Sequence, residues 1–386
     1  MKIRLKSQRI FVIIFFILFS CSQKDKNYSV ENLNGVSQIT NKSALWGEEP
    51  EVELRFVKQI GELDGTDSNY SFHQPNDLAV DDEGNIYVLD SGNCRIQKFD
   101  KNGTYLSTMG RRGEGPGEIP GFTFGIDIIE NILYFTHSNT IVRKFSTDGK
   151  DLGRYIPGGY PMYIRHFNNS ELITHCSEGY VGISSYEPEK ISLVFVFSED
   201  GKTRKIGSPV FFENAHETKN VNAVLMETDK DNNIFVAFEN LNRIDKYTHE
   251  GEHLFSVSRP LNYEVLEKPV WTETHSKLSP VPRFTSVSKG IGIDSKNRIW
   301  VLTANRIFSD DEWREMRAVT DREGAKPEYE KSLYDFHIFT SEGVFLGSIL
   351  VPEKWLEFRM RIFKDRLFLI EYEFDVCVKE YRIVEK

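Results

Sequence analysis

The chain has 386 residues and a net charge of −10, from 48 basic and 58 acidic side chains. A surface with that acidic excess argues against nucleic acid and anionic membrane as general partners. Aromatic residues make up 13%, led by 28 phenylalanines, which fits thick side chains packed between stacked sheets. In chain order, Lys2, Arg4, Lys6 and Arg9 precede the apolar run Ile10 to Phe19, too short to span a membrane comfortably and readable as an export signal. Removing a leader with those four basic residues takes the charge from −10 to −14.

Leu18-Phe19-Ser20-Cys21 resembles a bacterial lipoprotein signal, with Leu18 three positions before the cysteine and a small Ser20 just before it. That resemblance implies a signal peptide over 1–20 and lipidation at Cys21, whose acyl chains suffice for stable anchoring. The other reading is an uncleaved signal anchor with an incidental cysteine. Ser22 after the cysteine favours the outer membrane, by analogy with enteric bacteria. Residues 21–50 are polar with little periodicity and read as a lipidated, flexible tether, with Trp46 the one large apolar residue available to tuck against the body.

Residues 51–386 carry a repeat. From Asn76 to Gly110 four short β-rich runs are separated by turn signals, Asp81 to Asn85 and Asp100 to Gly103 among them. Ile86-Tyr87-Val88 returns as Leu133-Tyr134-Phe135, Leu172-Ile173-Thr174, Ile234-Phe235-Val236, Ile299-Trp300-Val301 and Leu367-Phe368-Leu369. The late turn glycines Gly103, Gly149, Gly201 and Gly251 lie 46, 52 and 50 residues apart, and Gly343 follows after 92. Only one strand of the Ile-Trp-Val type falls in the long gap, so it holds a single blade with insertions. Such a period predicts an all-β, six-bladed β-propeller of four-stranded antiparallel blades. The last unit ends after three strands, and Val52 to Ile60 is a spare β-rich segment at the other end. It is expected to supply the missing outer strand and close the ring.

Pro75 to Asp81 and Asn85 to Phe99 together look like an NHL repeat, and Gly110 to Glu118 resembles the linker between blades of bacterial six-bladed propellers of that kind. The resemblance implies a fold; functions on it range from scaffolds to metal-dependent lyases.

The connections divide by length. First-to-second and third-to-fourth strand turns are tight, whereas second-to-third and blade-to-blade connections hold every long loop, including 62–75, 110–122, 176–190, 208–220, 258–286 and 303–332. One rim is therefore elaborated, and the hairpin rim is expected to have little surface shape to recognise a partner. Candidate ligand-binding residues on or beside the elaborated rim are His73, Asn76, Asp77, Arg111, Arg112, Arg165, Trp271 and Trp313. Each has a plainer reading: Asn76 and Asp77 as turn formers, Arg111 and Arg112 as partners of Glu114 or Glu118, Arg165 with Tyr163 and His166 as snorkelling surface residues, and the tryptophans as loop anchors. Ser309 to Arg317 reads as a short capped helix.

Nine histidines include no HExxH and no paired ligand spacing, and no cofactor or metal is expected. Cys94, Cys176 and Cys377 read as buried thiols, with a Cys94–Cys377 bridge between adjacent blades as the alternative. The functional expectation is an envelope-anchored, monomeric binding or scaffold module for a protein, peptide or glycan, touching membrane only through its lipid. The alternative is a channel-metal (Zn or Ca) lyase or hydrolase; the family's lyases use histidines from several blades around a channel metal, whereas His73, His166 and His216 lie at unmatched offsets from their strands, so only folding could bring them together.

Overall fold

The computed structural model describes residues 27–61, 66–138, 141–157, 161–168, 171–175, 192–266, 268–272, 281–307, 309, 332–354, 358–371 and 376–386. The leader, Cys21, Cys176, Trp313 and all of the Ser309 to Arg317 segment after Ser309 lie outside these residues.

Three strands precede the repeats: β1 (Tyr28–Leu33), β2 (Val36–Asn41) and β3 (Val52–Ile60). Blade 1 is β4 (Pro75–Val80), β5 (Ile86–Asp90), β6 (Arg95–Phe99) and β7 (Tyr105–Met109). Blade 2 is β8 (Thr123–Ile129), β9 (Ile132–His137), β10 (Ile141–Ser146) and β11 (Asp151–Tyr155). Blade 3 is β12 (Ile164–Asn168), β13 (Glu171–His175), β14 (Val194–Ser198) and β15 (Thr203–Ile206). A short helix α1 (Ala215–Val221) leads into blade 4, β16 (Val224–Thr228), β17 (Ile234–Phe238), β18 (Ile244–Tyr247) and β19 (His253–Ser258). A small hairpin, β20 (Val270–Thr272) with β21 (Val281–Arg283), precedes blade 5. Blade 5 is β22 (Ser288–Ile293), β23 (Ile299–Ala304), β24 (Tyr334–Phe339) and β25 (Phe345–Leu350). Blade 6 is β26 (Arg359–Phe363), β27 (Arg366–Glu371) and β28 (Cys377–Glu385), and its fourth strand is β3.

The result is an all-β, six-bladed propeller of four-stranded antiparallel blades. Second strands are largely apolar on both faces because each blade is sandwiched between two others. Ile86–Asp90 and Ile234–Phe238 are buried along their whole length. Tyr87, Phe135, Phe235, Trp300 and Phe336 fill the gaps between sheets. Cys94 and Cys377 are both buried and form no disulfide.

Part of the segment expected as a tether is built into the ring. From Asn27 onward it forms the β1–β2 hairpin, and β2 pairs in parallel with β19, so blade 4 becomes a six-stranded sheet. Asn41 then joins two blades: its Nδ2 donates to the Ser258 and Gly343 carbonyls and its Oδ1 accepts from the Phe345 amide. Trp46 is half-buried against β25, with its amide donating to the Leu346 carbonyl. Those hydrogen bonds outweigh the polar composition of the stretch, because a polar segment is ordered as readily as an apolar one once an edge strand offers it a ladder.

Candidate functional site

All six inner strands start at a blade-to-blade connection and end at a tight hairpin, and the register of each against its second strand gives the depth of its residues along one central channel. Asp127, Arg165, Glu227 and Arg361 share one level, opposite the equivalent residues Tyr134, Ile173, Phe235 and Phe368 of the repeat. Asp77 and Arg359, opposite Leu89 and Ile370, lie two residues nearer the long-loop end, and Lys289 is at that end of β22. The middle level therefore holds two cations and two carboxylates, and the level above it two cations and one carboxylate.

An inner strand has no neighbour on its channel side, and its outward-facing amides there need acceptors. Asp77 Oδ2 accepts from the Ile126 amide of the next blade (3.2 Å), and Asp127 Oδ2 accepts from the His166 amide (2.7 Å). Thr228 Oγ1 donates to the His166 carbonyl, the complementary link. These acids lock neighbouring blades in register. They also anchor cross-channel ion pairs. Arg361 Nη1 lies 3.0 Å from Asp77 Oδ2, its Nη2 lies 3.5 Å from Asp127, and Arg165 reaches both Asp77 and Glu227 at 3.3 Å. Asp77 is 2% and Arg361 3% exposed, so this is an interior network. Burial opposes the charge on Arg165, yet Asp77 and Glu227 together hold its guanidinium above the ordinary range. Burial pushes the Glu227 carboxyl up, against the pull of Arg165 and Arg361.

Nearer the long-loop end, the Arg359 guanidinium stacks 4.3 Å from the Tyr163 ring centroid, and Tyr163 stacks on His175 at 5.3 Å with 15° between the planes. Burial, followed by Arg165 and Arg359, pushes the His175 imidazole down to about 3, so it is neutral at physiological pH. These groups line a recess of about 70 Å³, with Asp77, Tyr163, His175, Lys289, Arg359 and Arg361 among its walls. One water occupies about 30 Å³ of liquid, so the space accommodates about two waters or one small polar group.

Of the residues singled out from sequence, Asp77 and Arg165 meet in this network. Asp77 is a strand residue, which corrects its reading as a turn former, and Arg165 is interior rather than snorkelling. Asn76 also lies in β4 and donates to the Thr123 carbonyl of blade 2. His73 is exposed; its amide donates to Asp90 Oδ1 and its carbonyl accepts from the Gly92 amide. Arg112 donates to the carbonyl of the same Gly92, so His73 and Arg112 share one patch of the blade 1 rim. Arg111 is exposed and pairs with Glu118 at 3.1 Å. Trp271 is half-exposed, with its indole N–H donating to Glu217 of α1, on the far side of the ring from His73. His166 lies 3.5 Å from Asp127, and the side chain of His216 lies outside the described residues. Among the described residues no group of three or more His, Cys, Asp or Glu is placed to hold a metal.

Sequence reading passed over Asp127, Glu227, Lys289, Arg359 and Arg361. A usable signal was present: laying the inner strands of all repeats side by side shows one charged residue or more near the middle of each. The hairpin rim also departs from expectation. It carries a cleft of about 420 Å³ between blades 2 and 3, beside Tyr134, Tyr155 and Glu171, and one of about 690 Å³ between blades 6 and 1, beside Asp82, Lys101 and Arg366. Short turns leave gaps where adjacent blades splay apart, so short loops do not make a smooth surface.

The match to known families falls on the best-formed blade. Residues 72–99 match the NHL repeat family. That stretch holds the first three strands of blade 1. Among solved structures, a member of the DUF4221 family from Bacteroides vulgatus is similar at 12% identity and a TM-score of 0.56, over 88% of this chain and 100% of that one. A Bacteroides fragilis protein described as exported is similar at 11% identity and a TM-score of 0.56, over 90% of this chain and 100% of that one. At such identities the likeness concerns the propeller fold alone.

Proposed function

We propose that the protein is a binding module of the bacterial cell envelope, lipid-anchored at Cys21 in the outer membrane, that takes its protein, peptide or glycan ligand on the long-loop face over the channel mouth. The carrying observation is the pair of cations Arg359 and Lys289 at the long-loop end of the channel, above a level where Arg165 and Arg361 pair with Glu227 and Asp127. Positive charge at the mouth suits recognition of an approaching anionic group. Arg112 and Trp271 on the surrounding rim offer cation and aromatic contacts. The exported description of the Bacteroides fragilis neighbour agrees with an envelope address.

The test has two arms. Cys21→Ala moves the protein from the membrane to the soluble fraction, or leaves it unprocessed; unchanged fractionation at mature size removes the anchor. In an envelope pull-down, Arg112→Ala and Trp271→Ala reduce partner recovery at unchanged melting temperature, whereas Lys101→Ala and Lys202→Ala on the hairpin rim do not. The opposite pattern inverts the face.

A further inference from the structure

We infer that the cavity at the long-loop end of the channel is a receptor for a single carboxylate, the monoanionic end of a larger ligand or a small monocarboxylic acid. The inference rests on the long-loop reading above and names the chemistry of its recognised group.

Volume sets the first limit. The recess of about 70 Å³ is matched in size by one terminal group of a larger molecule rather than by a whole sugar ring, nucleotide or peptide backbone. Hydrogen-bonding capacity sets the second. Arg361 is 3% exposed and pairs through Nη1 and Nη2 with Asp77 and Asp127, yet its buried Nε–H has no acceptor. Lys289, on the same wall, lies 3.9 Å from Glu239, beyond normal hydrogen-bond length. A buried donor left without an acceptor is costly, and Arg, Lys and Tyr side chains converging on one space call for an acceptor-rich guest. An ionised carboxylate accepts only, and its flat shape matches guanidinium groups.

Charge sets the third limit. Arg165 and Arg361 face the three carboxylates Asp77, Asp127 and Glu227, and Asp77 itself lines the recess. A phosphate dianion would place its second charge against that carboxylate, whereas a monoanion places its single charge against Lys289, which also lines the recess. Tyr163 and His175, stacked and uncharged, form an apolar-faced wall against which the carbon adjoining the carboxylate packs.

The experiment titrates the full-length protein in detergent with sodium [1-13C]acetate, sodium phosphate and sodium chloride at equal ionic strength, with binding read by NMR saturation transfer and calorimetry. Acetate binds saturably at one site, propionate competes, and phosphate and chloride do not. Lys289→Gln weakens acetate about tenfold or more at an unchanged melting temperature, and Lys101→Gln on the hairpin rim leaves it unaltered. Because Arg361→Gln also breaks the ion-pair network, its result counts only alongside Lys289→Gln. No saturable acetate binding, tighter binding of phosphate or chloride, or an unaffected Lys289→Gln overturns the inference. If acetate fails while the Arg112 and Trp271 variants still lose partner recovery, the ligand class falls and the long-loop reading stands. If acetate binding depends on Lys101 instead, both fall.

Discussion

The N-terminal segment joins the ring at two places, and the two junctions differ. In blade 6 it supplies a strand the repeat lacks: β3 pairs with β28 from Val52 to Ile60, and both end residues are buried. In blade 4 it adds to a sheet that is already complete. There β1 lies on the outside with Val30 55% and Leu33 61% exposed and only Tyr28 packed against the core, while β2 reaches the interior through Ile39 and Asn41. An added strand is structural in proportion to what it buries and to the backbone groups that would otherwise stay unpaired. By that measure β3 closes the ring, Asn41 is a rivet between blades 4 and 5, and β1 is a cover.

The sharpest way to break this comparison is deletion of residues 51–60. It removes an entire ladder and several buried apolar side chains, a loss on the order of 5 kcal/mol or more, comparable to the net stability of a domain. The expected outcome is loss of the cooperative thermal transition, and a truncated protein that melts like the parent contradicts the closing role of β3.

A smaller effect is expected at the turn glycines. Gly343 has φ +86°, and an added Cβ would lie 2.4 Å from Val257 of blade 4, whereas Gly201 has φ +82° and open space around it. Gly343→Ala therefore carries backbone strain and a clash, about 3 kcal/mol together, while Gly201→Ala carries about 1 kcal/mol of strain alone. Equal losses in denaturant unfolding would mean that blades 4 and 5 separate easily at this seam. Asn41→Ala probes the same seam from the other side. It strands the Phe345 amide and leaves two carbonyls without that donor, for about 2 kcal/mol, and a neutral result would demote the rivet to a cover.

The smallest effect per step is acid sensitivity within blade 5. Burial, followed by the nearby Arg259 charge, pushes the His337 imidazole down to about 3. A depressed histidine is neutral in the folded chain and protonates more readily when unfolded. Its stabilisation is complete above about pH 6.5 and erodes as pH falls from there towards 3, by up to about 1.4 kcal/mol per pH unit. His175 contributes in the same window and direction. His337→Gln should flatten the dependence of unfolding free energy on pH between 6 and 4 by one such contribution, and an unchanged slope would show that His337 protonates freely in the native state.

What the sequence by itself determined is the local and the periodic. Turn glycines with positive φ, Asx-type hairpins such as Asp81 to Asn85 and alternating β-rich runs are set by near neighbours, and their repetition implied six blades and a propeller. The division between tight and long connections was legible for the same reason. Only the tertiary structure decided which charges meet. Arg361 and Asp77 are 284 positions apart and share nothing local; they touch because ring closure sets blade 6 beside blade 1, where the long Arg361 side chain spans the two-residue difference in depth between the strands. The N-terminal hairpin did leave a sequence mark in its Asn34-Gly35 turn, both φ positive, but its place in the ring left none, since a strand that docks in parallel on β19 needs only free backbone groups, which every residue but proline carries.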